Sequence, residues 1–224
     1  MNNLIVNTNT VKTVIQCPLC ESSNVFSSVV SSLGIDHYLC EQCYLIFADK
    51  VFLPDWDSEK KRYQTHQNGP QYPGYISFLQ QALRPTLPYL NKEMTGLDYG
   101  CGPVPTLSVL LEEQGFHCDN YDPFFYPEFP VINFNYIFST EAAEHFFLPG
   151  EELRRIGKLL KPGGLFAIMT ELWHDLDHFP DWYYVKDYTH VSFYHLKTID
   201  KICELFNYEV IFNDKRRVIV LRGL

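Results

Sequence analysis

A glycine turn with an acid on either side is the first feature of this sequence that could bind a ligand. Gly100 and Gly102 flank a single residue, Asp98 precedes them, and Asp122 follows the next predicted strand. Because glycine has no Cβ atom, a ligand can lie directly against the backbone. A helix that begins after such a turn directs its first N–H groups toward that ligand. The pattern predicts a strand, a turn and a helix that cradle a small molecule; a strand-turn-helix without a ligand is the alternative.

The two acids indicate which ligand would suit the turn. A carboxylate at Asp122 could accept hydrogen bonds from both hydroxyls of a ribose. The turn reads G-x-G-x-V, ending at Val104, and not G-x-G-x-x-G, the fingerprint of dinucleotide-binding turns. Asp98 would repel a pyrophosphate, but it suits a ligand that carries a cationic amine or a sulfonium. These residues therefore favour a cationic nucleoside over a dinucleotide.

Four cysteines form the second group of residues that could do chemistry. Cys17, Cys20, Cys40 and Cys43 are arranged as C-x2-C-x19-C-x2-C, a spacing typical of a zinc site. Each pair would direct two thiolates at one tetrahedral metal, and the two pairs together would leave no open position. The spacing predicts a structural zinc; free thiols or a redox pair are the alternatives. Buried thiols are expected at the other three cysteines, which are Cys101, Cys118 and Cys203.

Acids and histidines after two further predicted strands form the third group. Glu144 and His145 follow the strand predicted over 135–139, and His190 lies in an aromatic segment that follows the strand predicted over 165–170. The carboxyl ends of parallel strands are where α/β proteins bind their ligands. We therefore take these three residues as catalytic candidates, with one of the two histidines as the base. The alternative is that Glu144 and His145 only cap and orient the next helix.

Composition limits the classes of function. The chain has 224 residues, a net charge of −9 and 16% aromatic residues. An acidic chain disfavours nucleic acid as a partner, since nucleic-acid binding usually needs a basic face. The sequence contains neither an apolar run of about 18 residues, as a membrane span needs, nor an N-terminal stretch that resembles a secretion signal. We expect a cytoplasmic protein without a membrane partner; the composition does not predict its oligomeric state.

The order of predicted elements divides the chain into three parts. Residues 1–48 form a zinc-ribbon-like module with a hairpin over 25–39, and residues 49–73 form a linker. This linker is either a lid over the ligand, with Tyr63 and His66 as pocket candidates, or a packed surface segment. Residues 74–224 alternate strands and helices, which predicts an α/β domain. Its first helix is predicted over 75–83, with Pro85 and Pro88 ending or kinking it.

The succession of motifs resembles class I S-adenosylmethionine (SAM) dependent methyltransferases over about residues 75–222. D-x-G-x-G, an acid after the second strand, S-x-E-x-x-E-H and L-L-K-P-G-G before an apolar strand occur in that order. The likeness is greatest to the branch of ubiquinone-pathway O-methyltransferases. Cysteine pairs also precede such a domain in some deoxysugar and RNA methyltransferases. The resemblance implies a Rossmann-like sheet that ends in an antiparallel hairpin. The proline-rich stretch 123–130 leaves edge strand three shortened or absent.

The resemblance also implies roles for individual residues. Twelve residues are expected to bind SAM: Asp98, Tyr99, Gly100, Cys101, Gly102, Asp122, Pro123, Phe124, Ser139, Thr140, Glu141 and, from the linker, Tyr63. In some relatives an E-x-x-E-H motif and a later histidine bind a divalent metal, which here would place it at Glu141, Glu144, His145 and His190. Phe124 or Phe125 would stack on the adenine ring, in place of a contact normally made by strand three.

The resemblance implies transfer of a methyl group from SAM to an acceptor, and a small molecule is the acceptor that the acidic charge and the aromatic segment favour. One alternative is an RNA or protein methyltransferase whose zinc ribbon reads the substrate. The stretch between Cys17 and Cys43 contains no lysine or arginine, which argues against RNA. Another alternative is a non-catalytic interaction protein. The absent strand would permit it, and so would Val104, which replaces the third glycine of the family's D/E-x-G-x-G-x-G motif.

Overall fold

A computed structural model describes residues 15–65 and 68–224 of the chain. Two sheets and five α-helices make up the fold. The strands are β1 Val25–Val30, β2 Asp36–Cys40, β3 Ile46–Ala48, β4 Thr95–Tyr99, β5 His117–Tyr121, β6 Phe134–Thr140, β7 Leu160–Met169, β8 Ser192–Phe193, β9 Tyr208–Asn213 and β10 Val218–Gly223. The helices are α1 Trp56–Tyr63, α2 Pro73–Thr86, α3 Thr106–Glu112, α4 Pro149–Leu159 and α5 Leu196–Phe206.

The larger sheet has six strands in the order β5-β4-β6-β7-β10-β9. The first four are parallel, and β10 runs antiparallel to both of its neighbours. The apolar half of β7 is buried along its whole length, as a central parallel strand with helices on both faces should be. This topology confirms the predicted Rossmann-like sheet with a final antiparallel hairpin.

In the described part of the chain, this sheet ends at β5 and lacks the further edge strand of a complete class I methyltransferase sheet. The prolines of 123–130 predicted this difference. After β5, Asp122 and Tyr126 form an isolated bridge that closes a turn. The part of the chain that the structure describes between this turn and β6 contains no strand, so β5 is the edge. Proline has no N–H to give to a ladder, which explains why 123–130 does not add a strand.

Two predicted element boundaries differ from those in the structure. Helix α2 continues past Pro85 and ends at Thr86, whose hydroxyl donates to the carbonyl of Ala82 at 2.8 Å. Pro88 instead lies in the short 3-10 helix Leu87–Tyr89. The K-P-G-G stretch, which comes before the strand predicted over 165–170, already belongs to β7.

The smaller sheet joins the N-terminal module to the rest of the chain. Its order is β1-β2-β3-β8, so its fourth strand comes from the aromatic segment after β7. The predicted hairpin is present as β1 and β2, whereas β3 and β8 are additions that the sequence did not predict. Residues 1–14 of the module lie outside the described part of the chain.

The linker contains a helix that the weak periodicity of its sequence did not predict. Asp55 caps α1 by accepting a hydrogen bond from the N–H of Ser58 at 2.8 Å, and acids occupy its first turn. Tyr63 lies at its end, while His66 lies outside the described residues. None of the described helices is both long enough and apolar enough to cross a bilayer.

Candidate active site

A cavity of about 610 Å³ lies at the carboxyl ends of β4, β5 and β6. The glycine turn, the turn after β5 and the loop after β6 form its floor, and α1 covers one side. Ligands of open α/β sheets bind at this edge because the loops that follow parallel strands converge there. The fold therefore brings the glycine turn, Asp122 and the residues Glu144 and His145 to one place.

Both glycines of the turn have the left-handed backbone that favours this residue. Gly100 has φ +83° and Gly102 has φ +67°. A Cβ atom on Gly100 would lie 2.6 Å from Cβ of Ala142, so the close approach of the next loop also requires glycine. At Gly102 the same position is open, and this residue lines the cavity. A ligand can therefore approach the backbone at Gly102.

Asp122 holds the turn and the edge of the cavity together. Its Oδ2 accepts a hydrogen bond from the N–H of Gly102 at 3.0 Å. Its Oδ1 accepts from the N–H groups of Phe124 at 2.8 Å and Phe125 at 3.1 Å. Burial raises the pKa of this carboxyl group, while these backbone donors act in the opposite direction. Asp122 thus organises the site in addition to any contact with a ligand.

Asp98 is a buried acid without a counter-charge. Its Oδ1 has no hydrogen-bond partner among the described residues. Burial, with a smaller contribution from Asp122, raises the pKa of Asp98 to about 7. A buried acid is stable when it is protonated or when a cation pairs with it. Since Asp98 lines the cavity, a ligand can supply that cation.

Glu141 occupies a strained position directly after β6. Its backbone is left-handed, with φ +50°, and its N–H donates to the carbonyl of Met169 at 2.7 Å. Burial raises the pKa of its carboxyl group well above the ordinary value, and the neighbouring Glu144 adds to this shift. Strain of this kind in a residue other than glycine is common at functional sites.

Glu144, His145 and His190 offer three ligand atoms that lie within 4.8 Å of one another. We call these residues the triad. Glu141, the fourth residue expected to join them, is not part of this group. The rings of the two histidines meet edge to face, with their centroids 4.8 Å apart. The structure therefore brings three of the four predicted ligands together.

Backbone carbonyl groups orient both histidines of the triad. Nδ1 of His145 lies 2.9 Å from the carbonyl oxygen of Thr189, and Nδ1 of His190 lies 2.7 Å from that of Tyr184. A carbonyl only accepts, so each Nδ1 carries the proton and each Nε2 keeps a lone pair. This is the arrangement found in histidines that bind metals.

Glu144 completes the triad with a fully buried carboxyl group. The phenol of Tyr184 lies beside it, but neither oxygen is in good hydrogen-bond geometry with a described donor. Burial, followed by the charge of His145, lowers the pKa of His190 to about 4, so this imidazole is neutral at pH 7. A buried carboxyl group beside two imidazoles whose Nε2 atoms point to the same place is a suitable site for a divalent cation.

Helix α1 turns one face toward the cavity. Trp56, Glu59 and Tyr63 follow one another at helical spacing, and all three line the wall. The hydroxyl of Tyr63 donates to Glu59 at 2.5 Å, and its ring meets that of His145 at 5.0 Å between centroids. The ring of Trp56 packs on Phe124 at 4.1 Å. This helix therefore connects the cofactor side of the cavity to the triad.

The structure places eleven of the twelve expected cofactor residues on the cavity wall. Ser139 is the exception; it is fully buried within β6 and does not line the cavity. Of the two adenine candidates, Phe124 lines the cavity and Phe125 does not. Of the aromatic segment 171–195, only His190 reaches the wall, because the aromatic side chains of this segment mostly pack on the small sheet.

Sequence reasoning missed several residues of the wall: Trp56, Glu59, Tyr75, Phe78, Phe146, Glu151 and Arg155. The spacing of Trp56, Glu59 and Tyr63 was the signal that could have revealed the inward face of α1. Of the other missed residues, Phe146 lies in the loop before α4, and the rest come from α2 and α4. Their sequences resemble ordinary core or surface segments, so their position depends on packing.

The four cysteines of the N-terminal module converge on one point. Sγ of Cys17 lies 3.5 Å from Sγ of Cys43, and Sγ of Cys20 lies 3.5 Å from Sγ of Cys40. Tetrahedral zinc with bonds of about 2.3 Å places its sulfurs about 3.8 Å apart, which agrees with this geometry. The cluster lies at the junction with α4, outside the cavity.

Comparisons with solved structures find the same fold. The chain is similar to magnesium protoporphyrin IX methyltransferase from Synechocystis PCC 6803 with bound SAH, at 10% identity and a TM-score of 0.51, covering 76% of this chain and 89% of that one. It is also similar to a SAM-dependent methyltransferase from Archaeoglobus fulgidus, at 16% identity and a TM-score of 0.48, covering 66% and 94%. A third structure is 1,6-didemethyltoxoflavin-N1-methyltransferase from Burkholderia thailandensis, at 15% identity and a TM-score of 0.48, covering 63% and 78%. At 10% identity, the likeness to the Synechocystis enzyme shows the fold alone.

The sequence itself matches a known family. No curated protein sequence matches the chain significantly. A protein-family model described as a methyltransferase domain matches residues 71–212, which is more than half of the chain. This range includes the glycine turn, Asp122 and the triad. The chain therefore belongs to the methyltransferase-domain family and is a SAM-dependent methyltransferase.

Proposed function

We propose that this methyltransferase acts on a small-molecule acceptor inside the cavity, and that the acceptor atom is an oxygen. The observation that carries this proposal is the cavity itself, whose wall includes both the glycine turn and the triad. The resemblance of the E-x-x-E-H motif to ubiquinone-pathway O-methyltransferases supports an oxygen acceptor. A concave cavity with α1 along one side favours a small acceptor over a macromolecule.

The residues around the glycine turn fit the cofactor. Asp98 would pair with its cationic methionine portion, and the open backbone at Gly102 would lie against it. Asp122 would receive the ribose hydroxyls, and Phe124 would stack on the adenine. When bound, SAM supplies an electrophilic methyl group. The chain's part is to hold the acceptor in line with that group, which can contribute several kcal/mol to catalysis.

The triad fits a divalent cation that activates the acceptor. Its two free Nε2 atoms and the buried carboxylate of Glu144 form a set of one oxygen and two nitrogen ligands. A cation held there would lower the pKa of an acceptor hydroxyl. Without a cation, His145 or His190 would accept the proton of the acceptor. In either case the triad acts on the acceptor while the glycine turn holds the cofactor.

The N-terminal part of the chain has a separate proposed role. We propose that residues 1–48 form a zinc-ribbon-like module, residues 49–73 a lid and residues 74–224 the catalytic domain. The convergence of four sulfur atoms supports a structural zinc. Such thiol clusters are typical of a reducing compartment, which supports the cytoplasm as the place of action.

Calorimetric titration with SAM tests the cofactor site. We expect the wild-type protein to bind SAM. The Asp122→Ala variant should lose most of this affinity, because it loses both the ribose contact and the hydrogen bonds that Asp122 accepts from the backbone of the turn. Asp119→Ala is the matched control, since Asp119 lies on β5, three residues before Asp122, but outside the cavity. If the wild-type protein does not bind SAM, an interaction protein without catalysis becomes the better interpretation.

Titration with Mn²⁺, followed by electron paramagnetic resonance, tests the triad. We expect zinc-loaded wild-type protein to bind one further divalent ion. Glu144→Gln and His190→Gln should lose that ion while they keep their affinity for SAM, because neither residue belongs to the glycine turn. His178→Gln is the control, since His178 is exposed and outside the cavity. Full methyl transfer by both triad variants would exclude the metal and leave His145 as the candidate base.

A further inference from the structure

The N-terminal module contacts both chain segments that carry the triad. One segment, 143–150, contains Glu144 and His145 and leads into α4. The other, 189–194, contains His190 and β8. We use the name four-cysteine module for residues 15–48, which hold the four clustered cysteines and the first three strands of the small sheet.

The first contact joins the four-cysteine module to the start of α4. The N–H of Gly150 donates to the carbonyl of Pro18, inside the first cysteine pair, at 3.1 Å. A Cβ atom on Gly150 would lie 2.7 Å from the carbonyl oxygen of Leu19 and 2.9 Å from that of Pro18. These are backbone atoms of a metal-site turn, so they cannot move aside cheaply. Glycine at this position therefore allows the first cysteine pair to pack directly on the segment that carries His145.

The second contact joins the four-cysteine module to the segment of His190. Strand β3 pairs with β8, and the N–H of Ala48 donates to the carbonyl of Val191 at 2.9 Å. Val191 in turn donates its own N–H to the carbonyl of Glu144 at 2.8 Å. A chain of backbone hydrogen bonds thus runs from the four-cysteine module through the neighbour of His190 to Glu144.

Further hydrogen bonds fasten the two segments to each other. The hydroxyl of Ser192 donates to the carbonyl of Phe146 at 2.7 Å, and the buried hydroxyl of Tyr194 donates to that of Ala143 at 2.9 Å. The cysteines also belong to the same buried cluster as Tyr194 and the apolar face of α4. Both segments are therefore held together, with the four-cysteine module packed against their outer side.

We propose that the four-cysteine module is a positioning element, which sets the distance between His190 and the Glu144–His145 pair. This inference rests on the proposed role of the triad. Ligand atoms must be held to within a fraction of an ångström to bind a metal or transfer a proton, and residues behind them supply that precision. The four-cysteine module performs this task from behind the active site, so its bound metal acts on the reaction through the backbone. It is not a reader of the substrate.

Gly150→Ala in the full-length, zinc-loaded protein tests this proposal. The new Cβ atom would push the first cysteine pair away from α4. Gly157→Ala is the matched control, because it makes the same change in the same helix and meets only the terminal hydroxyl of Tyr208, at 3.3 Å. Three quantities are measured on each variant besides its affinity for Mn²⁺: zinc content, affinity for SAM, and hydrogen exchange at the amide of Val191.

We expect Gly150→Ala to keep its zinc and its affinity for SAM but to exchange the Val191 amide at least about tenfold faster than the wild type. Its affinity for Mn²⁺ should fall by about tenfold, which is typical of lost support behind a ligand. Gly157→Ala should match the wild type throughout. Unchanged exchange and unchanged Mn²⁺ affinity in Gly150→Ala would overturn the proposal.

A second measurement covers the case in which Gly150→Ala fails to fold. Zinc is removed from the SAM-bound wild-type protein with a chelator and then restored. We expect the Val191 amide to lose protection and regain it, while the amides of β4 and β6 stay protected. If the amides of β4 and β6 lost as much protection as the Val191 amide, zinc would only stabilise the fold as a whole, and the proposal would be overturned. If wild-type protein binds no Mn²⁺, the metal role of the triad fails, but the Val191 exchange still decides whether the four-cysteine module positions these segments.

Discussion

Asp98 is an acid at the end of an otherwise apolar strand, and its carboxyl group is almost fully buried. In the free protein, burial makes the charged form costly, and the pKa of about 7 reflects that cost. A cation in the cavity would reverse the balance, because the carboxylate would then have a partner. At the scale of single residues, the affinity for a cationic ligand is therefore linked to the proton on Asp98.

This linkage predicts how binding of SAM depends on pH. Below about pH 7 the free protein holds a proton on Asp98, and binding of the cationic ligand must release it. The dissociation constant of SAM should therefore fall as pH rises toward 7, by up to about tenfold per pH unit, and then level off. Calorimetric titrations between about pH 5.5 and about pH 8.5 in buffers of different ionisation enthalpy would measure both effects.

Asp98→Asn is the control for this prediction. Its amide has no proton to release in this range, so SAM should bind more weakly and with little dependence on pH over the same interval. An equal slope in the variant and the wild type would assign the pH dependence to another acid. Asp122 would be the first to examine, because its pKa is also raised.

Helix α1 is the element that covers one side of the cavity at the sheet edge. Arg62 holds it in place, since its Nε and Nη2 both donate to Oδ2 of Asp187, at 3.0 Å and 2.6 Å. The hydroxyl of Tyr188 donates to the carbonyl of Ser58 at 3.1 Å and adds a second link. Both links run to residues just before His190 in the sequence. The lid and the triad are therefore connected, although they are far apart in sequence.

Arg62→Ala should weaken the lid without changing the cofactor contacts. The ion pair is partly exposed, so its loss is worth about 1 kcal/mol at most, or about fivefold in a rate. We expect bound SAM to dissociate up to about fivefold faster, measured by stopped-flow fluorescence of Trp56 and the other tryptophans. Lys61→Ala, one residue earlier and exposed, should leave the rate unchanged. Identical rates in all three proteins would show that α1 does not control release.

At the scale of the whole molecule, the N-terminal module and the rest of the chain share a buried core. The largest buried cluster contains the cysteines Cys17, Cys40 and Cys43 together with residues of β4, β7, α4 and α5. The smaller sheet is likewise completed by a strand from the catalytic part of the chain. A module of this size buries little apolar surface by itself, so it depends on this packing and on the zinc that we propose it binds.

This architecture predicts a single cooperative unfolding transition. Differential scanning calorimetry of the zinc-loaded protein should show one peak, and a ligand such as S-adenosylhomocysteine should move the whole peak upward. Removal of zinc should lower the same peak, because the metal stabilises a core common to both parts. A separate, low-temperature transition that responds to zinc but not to the ligand would contradict the prediction.

Much of the fold could be predicted from the sequence because local patterns decide it. Apolar runs of strand length and helical spacing predicted the strands over 135–139 and 165–170 and the helix over 75–83. The succession of motifs, through its resemblance to a known family, predicted the Rossmann-like sheet with its final hairpin. The prolines after Asp122 predicted the absence of edge strand three. The glycine turn and the E-x-x-E-H motif predicted most residues of the candidate site. Each is a short stretch directly after a strand, so the end of that strand fixes its position.

The tertiary structure decided how distant segments meet. Helix α1 has too little apolar periodicity to be predicted, and its place over the cavity depends on Arg62 and Asp187, which are 125 residues apart. Strand β8 has two residues and exists only because β3 lies beside it. Ser139 left the expected site because the pleat of β6 buries its side chain within the sheet.

The sequence alone therefore determined the family, the sheet and the kinds of residues at the site. These follow from spacing along the chain, where backbone geometry relates neighbours directly. Only the tertiary structure decided that Glu144, His145 and His190 form a compact triad without Glu141, and that the four-cysteine module packs behind them. Contacts of this kind depend on the register of strands and the packing of a shared core, which no local pattern specifies.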